Sequence, residues 1–183
     1  MDLFAAIDSR ASALKLTEPA PPRAHLEQIM RAAVRAPDHG RLRPWRFVVL
    51  EGAAREKLGD AMARLSLAKF PQSTPEQLDS ERRKVLRAPT IIVVAARITQ
   101  GKIPQVEQVG AVAAGVENMM LTAHALGYGA MWKTGAAAYD AQAKTMLGLT
   151  AEDQIVAFLY LGTTALAGTA TPASLGGIVS WLS

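Results

Sequence analysis

A single α+β domain is what this sequence predicts, and three features predict it. Thr90 to Ala96, TIIVVAA, is a β-branched run with no polar face; Pro104 opens a long helix of small and apolar residues; and helical apolar stripes alternate with further short apolar runs. With 183 residues the chain is long enough to bury one sizeable core. No internal repeat, low-complexity tract or linker divides it.

Composition removes several function classes. The chain has no cysteine, which excludes disulfides, iron–sulfur clusters, thiolate zinc sites and a cysteine nucleophile. His25, His39 and His124 carry no metal-binding spacing. The 20 basic and 16 acidic residues give +4, but the cations are scattered apart from two places, so a nucleic-acid-binding module is only a distant alternative. The N-terminal MDLFAAIDSRAS holds an acid at Asp2 and a short apolar run, so neither a signal peptide nor an anchor is expected. Ile91 to Ala96 falls far short of the roughly 20 residues of a membrane span. A cytoplasmic protein without membrane or nucleic-acid partners is the expectation.

Residues 2–8 read as a short helix with Leu3, Phe4 and Ile7 on one side. After it, Arg10, Ser12 and Lys15 place a guanidinium, a hydroxyl and an ammonium where they can converge on one phosphate; a helix end with ordinary surface charges has the same spacing. An extended piece through Pro19, Pro21 and Pro22 leads to a helix whose stripe is Leu26, Ile29, Met30, Ala33 and Val34, ending near Arg35.

The loop RAPDHGRLRPW then gathers Arg35, His39, Arg41 and Arg43 on a backbone that Pro37, Gly40 and Pro44 keep out of helix. It is either a solvated basic loop or one that receives an anion. Phe47 to Leu50 reads as a strand covered on both faces.

A helix is expected from Ala53 to about Lys69, stopped by Phe70-Pro71. Thr74, Pro75 and Gln77 form a capping box for the next, which runs to about Arg87 and carries the second group of cations, Arg82, Arg83, Lys84 and Arg87, on a solvated face. Thr90 to Ala96 is the central strand.

From Pro104 to about Leu126 the longest helix would span roughly 33 Å. Gly110, Ala111, Ala114 and Gly115 permit a close helix approach, either inside one subunit or between two copies. Glu107 is either an exposed first-turn acid or a buried hydrogen-bonding group. Ala130 to Gly135 makes a short strand and turn bearing Lys133; Asp140 to about Leu147 is a brief helix; Ile155 to Leu161 is another buried strand. The tail from Gly162 to Ser183 reads as extended and anchored by Leu175, Ile178, Val179, Trp181 and Leu182.

Arg10-x-Ser12, Arg35-Ala-Pro-Asp-His39 leading to Pro44-Trp45, the small-residue helix and the Trp132-Lys133-Thr-Gly135 turn occur in one order and spacing. By these the chain resembles the FMN-dependent nitroreductase family, in its short bacterial YdjA-like branch. The resemblance implies a mixed sheet wrapped by helices, in an intertwined homodimer with FMN at the subunit interface. It implies that Arg10, Ser12 and Lys133 face the FMN phosphate and ribityl chain, with Ala11 contributing backbone. Met131 and Trp132 would line the same cofactor, and Arg35 and His39 would reach the flavin bound mainly by the partner subunit. Leu121, Thr122, Ala123, His124, Ala125 and Leu126 would meet the nicotinamide nucleotide.

The implied activity is hydride transfer from NADH or NADPH through flavin N5 to a nitroaromatic or quinone-like acceptor, in a ping-pong scheme. No side chain need act as nucleophile, and His39 is a candidate proton donor. A flavin-binding or flavin-processing module without reductase activity is the alternative. The family's usual second arginine is Ala11 here, and Asp38, Arg41 and Arg43 stand where Ser, Asn and Gln donors are usual, so the phosphate grip and flavin-edge contacts differ.

Overall fold

A computed structural model describes residues 1–171 and 174–182; Pro172, Ala173 and Ser183 of the predicted tail lie outside the described residues. The order is α1 (Leu3–Ser9), β1 (Lys15–Thr17), α2 (Arg23–Ala33), β2 (Trp45–Leu50), α3 (Ala53–Lys69), α4 (Pro75–Arg83), β3 (Thr90–Ala96), α5 (Gln105–Ala125), β4 (Gly129–Lys133), α6 (Ala141–Met146) and β5 (Gln154–Leu166). A 3-10 turn over Lys84–Arg87 continues α4.

The β-branched run does what its composition dictates. All seven residues of β3 are buried, and their alternation divides the core into two. Ile91, Val93 and Ala95 face Leu58 of α3, Val85 and Ala143 of α6. Ile92, Val94 and Ala96 face Ile29 and Ala33 of α2 and Val112, Val116 and Met119 of α5. The sheet is thus a middle layer between two helical layers.

The strands run β1-β5-β3-β2, with β4 also on β5. β5 spans 13 residues, longer than its apolar run, because its second edge is shared: β4 pairs along Phe158 to Gly162 and β1 along Thr163 to Leu166.

Two expectations are corrected. Every strand pairing among the described residues is antiparallel, so the α+β class holds while the sheet of one chain is not mixed. β2 is the last strand in the order, with no outer neighbour among the described residues, and Arg46 and Val49 are exposed, so it is not covered on both faces.

The local signals hold elsewhere. Thr74 accepts from the Gln77 N–H at 3.3 Å while the Gln77 side chain accepts from the Thr74 N–H at 2.9 Å, completing the capping box. Arg82 and Arg83 meet Asp60 and Asp79 at 2.9 and 2.7 Å, as a solvated helix face does. No described helix is long and apolar enough to cross a membrane.

Candidate functional site

Asp2 caps α1 by accepting from the Ala5 N–H at 3.0 Å, and the helix ends where Arg10 turns extended. The chain beyond is stitched to the sheet: the Ala13 N–H donates to Ala130 O at 3.0 Å and the Leu14 N–H to Leu166 O at 2.9 Å. Arg10, Ala11 and Ser12 are therefore held on a fixed extended backbone. They line a cavity of about 910 Å³ whose opposite wall is Gly168, Thr169 and Thr171 of the tail. A Cβ on Gly168 would collide with Ser12 O, so the tail crosses in backbone contact.

The Arg10 guanidinium donates through Nε to Glu117 Oε1 at 3.1 Å. That bond orients the fork, and its two terminal amino groups have no partner among the described residues and are available to an anion.

The arginine loop is organised by a carboxylate on its own backbone. Asp38 Oδ2 accepts from the Arg43 N–H at 2.7 Å, and Asp38 O accepts from the Arg41 N–H at 3.2 Å. Gly40, Arg41 and Arg43 have φ of 71°, 54° and 51°, a left-handed conformation that costs a residue with a Cβ roughly 1–2 kcal/mol. His39 Nδ1 lies 2.5 Å from Glu107 Oε2, which settles Glu107 as an exposed first-turn acid of α5. Arg35 stays exposed just beyond α2.

In β4 the side chains alternate, and this separates residues that the resemblance brings together. Met131 packs into the core on the α3 side, whereas Trp132 turns to the other face, where its Nε1–H donates to Val156 O at 3.0 Å. Lys133 returns to the α3 side and lines a different cavity of about 460 Å³. Within one chain Lys133 therefore does not join Arg10 and Ser12. Partial burial, then Arg87 and Lys84 beside it, hold the Lys133 ammonium below the usual lysine range.

A stability experiment follows from that shift. Because the fold disfavours the charged form, the unfolded chain binds more protons between the lowered pKa and the ordinary value, so the parent gains stability as pH rises through that window. Lys133→Met should raise the melting temperature at neutral pH, and the gain should shrink toward pH ~10. Thermal melts across that range check this, and a pH-independent gain would contradict it.

The segment from Leu121 to Leu126 is the end of α5 and is partly engaged in packing, with Ala125 exposed. Ala123 is fully buried, Leu126 packs on the core of the α5 side, and Thr122 Oγ1 donates to Asn118 O at 2.8 Å. His124 Nε2 lies 2.8 Å from Ser9 Oγ, tying α5 to α1, and His25 Nδ1 lies 2.8 Å from Tyr128 Oη. None of the six lines either cavity.

Glu117 and the Gly168–Thr171 wall were not singled out from sequence, and Asp38 was noted only as a departure from the family's usual donors. Glu117 had a visible signal, an acid within an otherwise apolar stretch of α5, and Gly168 had none beyond its composition.

The description "Nitroreductase family" matches residues 7–163. A relative from Escherichia coli (strain K12) bearing the name "Putative NAD(P)H nitroreductase YdjA" is 37% identical over 164 residues, 89% of this chain and 88% of that protein. One from Haemophilus influenzae, "Putative NAD(P)H nitroreductase", is 33% identical over 165 residues, 89% of each. Among solved structures, a nitroreductase-like family protein from Bacillus cereus matches with a TM-score of 0.83 at 26% identity, over 100% of this chain and 96% of that one. A nitroreductase with bound FMN from Bacteroides fragilis matches over the whole of both chains with a TM-score of 0.76; at 20% identity this is a likeness of fold.

Proposed function

The chain belongs to the nitroreductase family, and from that premise we propose that it is a cytoplasmic FMN-dependent oxidoreductase that uses NADH or NADPH. The observation that carries this is the cavity at Arg10, Ala11 and Ser12. Its donor set, a guanidinium fork aimed by Glu117, a serine hydroxyl and extended backbone, suits a phosphate dianion. When bound, FMN supplies two-electron transfer from the nicotinamide to a flat electron-poor acceptor such as a nitroaromatic or a quinone.

The residues of this chain bind and orient. Arg10 and Ser12 hold the phosphate; Trp132 and the backbone of Met131 lie along the cofactor. Lys133 is removed from the phosphate set, since strand alternation turns its side chain into the other cavity. The nicotinamide role of Leu121 to Leu126 is not retained, because none of the six lines the Arg10 cavity, Ala123 is buried and Leu126 packs on the core.

Arg35 and His39 act on the flavin of a second copy. The homodimer this requires is supported by large apolar side chains left bare on one chain: Phe4 is 77% exposed, Val106 75% and Trp181 92%. These lie on α1, the start of α5 and the tail, and a second copy covers them.

The test is direct. Protein incubated with FMN and desalted should keep flavin absorption bands, and anaerobic NADH or NADPH should bleach them. A colourless product overturns the proposal, and bound flavin that neither nucleotide bleaches reduces it to a flavin-binding module.

A further inference from the structure

We propose that the cavity enclosed by α3, the Lys84–Arg87 turn, the end of β4 and the middle of β5 is a second binding site, one that takes an aromatic carboxylate. Four cations line it, Lys69, Lys84, Arg87 and Lys133, against a single acid, Glu81. Glu81 is already committed to Lys84 at 2.5 Å. The other three cations have no carboxylate partner among the described residues, and Lys69 instead lies over the Phe70 ring at 5.2 Å. Cations brought together around a concavity repel one another unless an anion enters.

A second observation points into the same space. Tyr160 is only 3% exposed, yet its hydroxyl makes no hydrogen bond to another described residue and borders the cavity. The ring is buried while the hydroxyl oxygen opens to the cavity, so the group is held in place with its donor capacity unused by the protein and offered to a ligand acceptor. Burial pushes the Tyr160 pKa up to about 12, so the group remains an O–H donor at neutral pH. The Lys133 ammonium lies 6.0 Å from the centroid of the Tyr160 ring, so phenol and ammonium adjoin and can share one carboxylate.

The remaining wall decides what carries that carboxylate. Met62, Leu65, Phe70 and Phe158 are apolar, and the volume of about 460 Å³ accommodates a flat bicyclic body. A charged head against Lys133, Arg87 and Tyr160, with an aromatic body between α3 and Phe158, satisfies both halves of the lining.

This site goes beyond the flavin proposal and is separable from it. Calorimetry with 2-naphthoate, and with the neutral isostere 2-naphthamide, is carried out on the full chain with and without saturating FMN. Naphthoate should bind at least tenfold more tightly than the amide, equally well with FMN present. Lys133→Met should weaken naphthoate at least tenfold, and Tyr160→Phe, which removes one oxygen, about three- to tenfold. Equal binding of acid and amide, unchanged binding by Lys133→Met, or displacement of naphthoate by FMN would each overturn the proposal; displacement would return these cations to the flavin. Naphthoate binding by a chain that takes up no FMN would sink the flavin proposal alone and leave this one standing.

Discussion

Replacing Arg10 by Ala should weaken FMN binding about 10- to 100-fold, whereas Arg82→Ala should leave it unchanged within about twofold. The contrast isolates the site, because both side chains are arginines paired with a carboxylate: Arg10 with Glu117 at 3.1 Å, Arg82 with Asp60 at 2.9 Å. A hydrogen bond to a charged group is worth roughly 1.5–3 kcal/mol, and 1.4 kcal/mol is a tenfold change in affinity. Arg82 lies on an exposed helix face and is not among the residues lining the Arg10 cavity, so its loss removes only a surface pair.

The Arg10–Glu117 pair is itself partly exposed, with 25% and 45% of the two side chains accessible, and such pairs contribute at most about 1 kcal/mol to folding. Unfolding therefore does not account for a large loss of FMN. Equilibrium titration of both variants, with melting temperatures alongside, makes the measurement. Equal affinities for Arg10→Ala and the parent would show that the phosphate sits elsewhere.

Local chemistry was legible in the sequence wherever one segment decides its own structure. Thr74-Pro75-x-Gln77 contains every group its capping box uses, and Thr90 to Ala96 has no polar face to offer water, so its burial follows from composition. What lay beyond reach depends on neighbours distant in sequence. β5 continues through Gly162, Thr163 and Thr164 because β1 pairs there, and nothing in those residues announces it. The mate of Arg10 is 107 positions away. At Arg41 and Arg43, the left-handed backbone falls on residues that rarely adopt it and is held by Asp38. Lys133 shows the subtlest case: its identity and strand were both anticipated, but a cation at a strand end serves one face or the other by parity alone, and parity is set by the pairing with Phe158.

The small residues of α5 were open to two interpretations, and a pair of substitutions five residues apart should separate them. Gly115→Val should destabilise the chain by about 3 kcal/mol or more, whereas Gly110→Val should leave its folding stability within about 1 kcal/mol of the parent. At Gly115 an added Cβ would lie 2.8 Å from Trp45 Nε1 and 2.9 Å from Ala33 O, so backbone and indole of the same chain already fill the space. Relief requires α2 to move away from α5, breaking the packing of Ile29 and Ala33 against Val112 and Val116.

At Gly110 nothing lies within 4 Å of the added atom, and the residue is exposed on the outer face with Ala114 and Val106. There valine meets only water in one chain, and in the proposed dimer its effect would appear where a second copy packs: sedimentation of Gly110→Val should show weaker self-association. Urea unfolding of the two variants reads the first difference. Equal stabilities would mean that the α2–α5 crossing is not as close as Gly115 makes it, while unaltered self-association in Gly110→Val would remove this face of α5 from the proposed subunit contact.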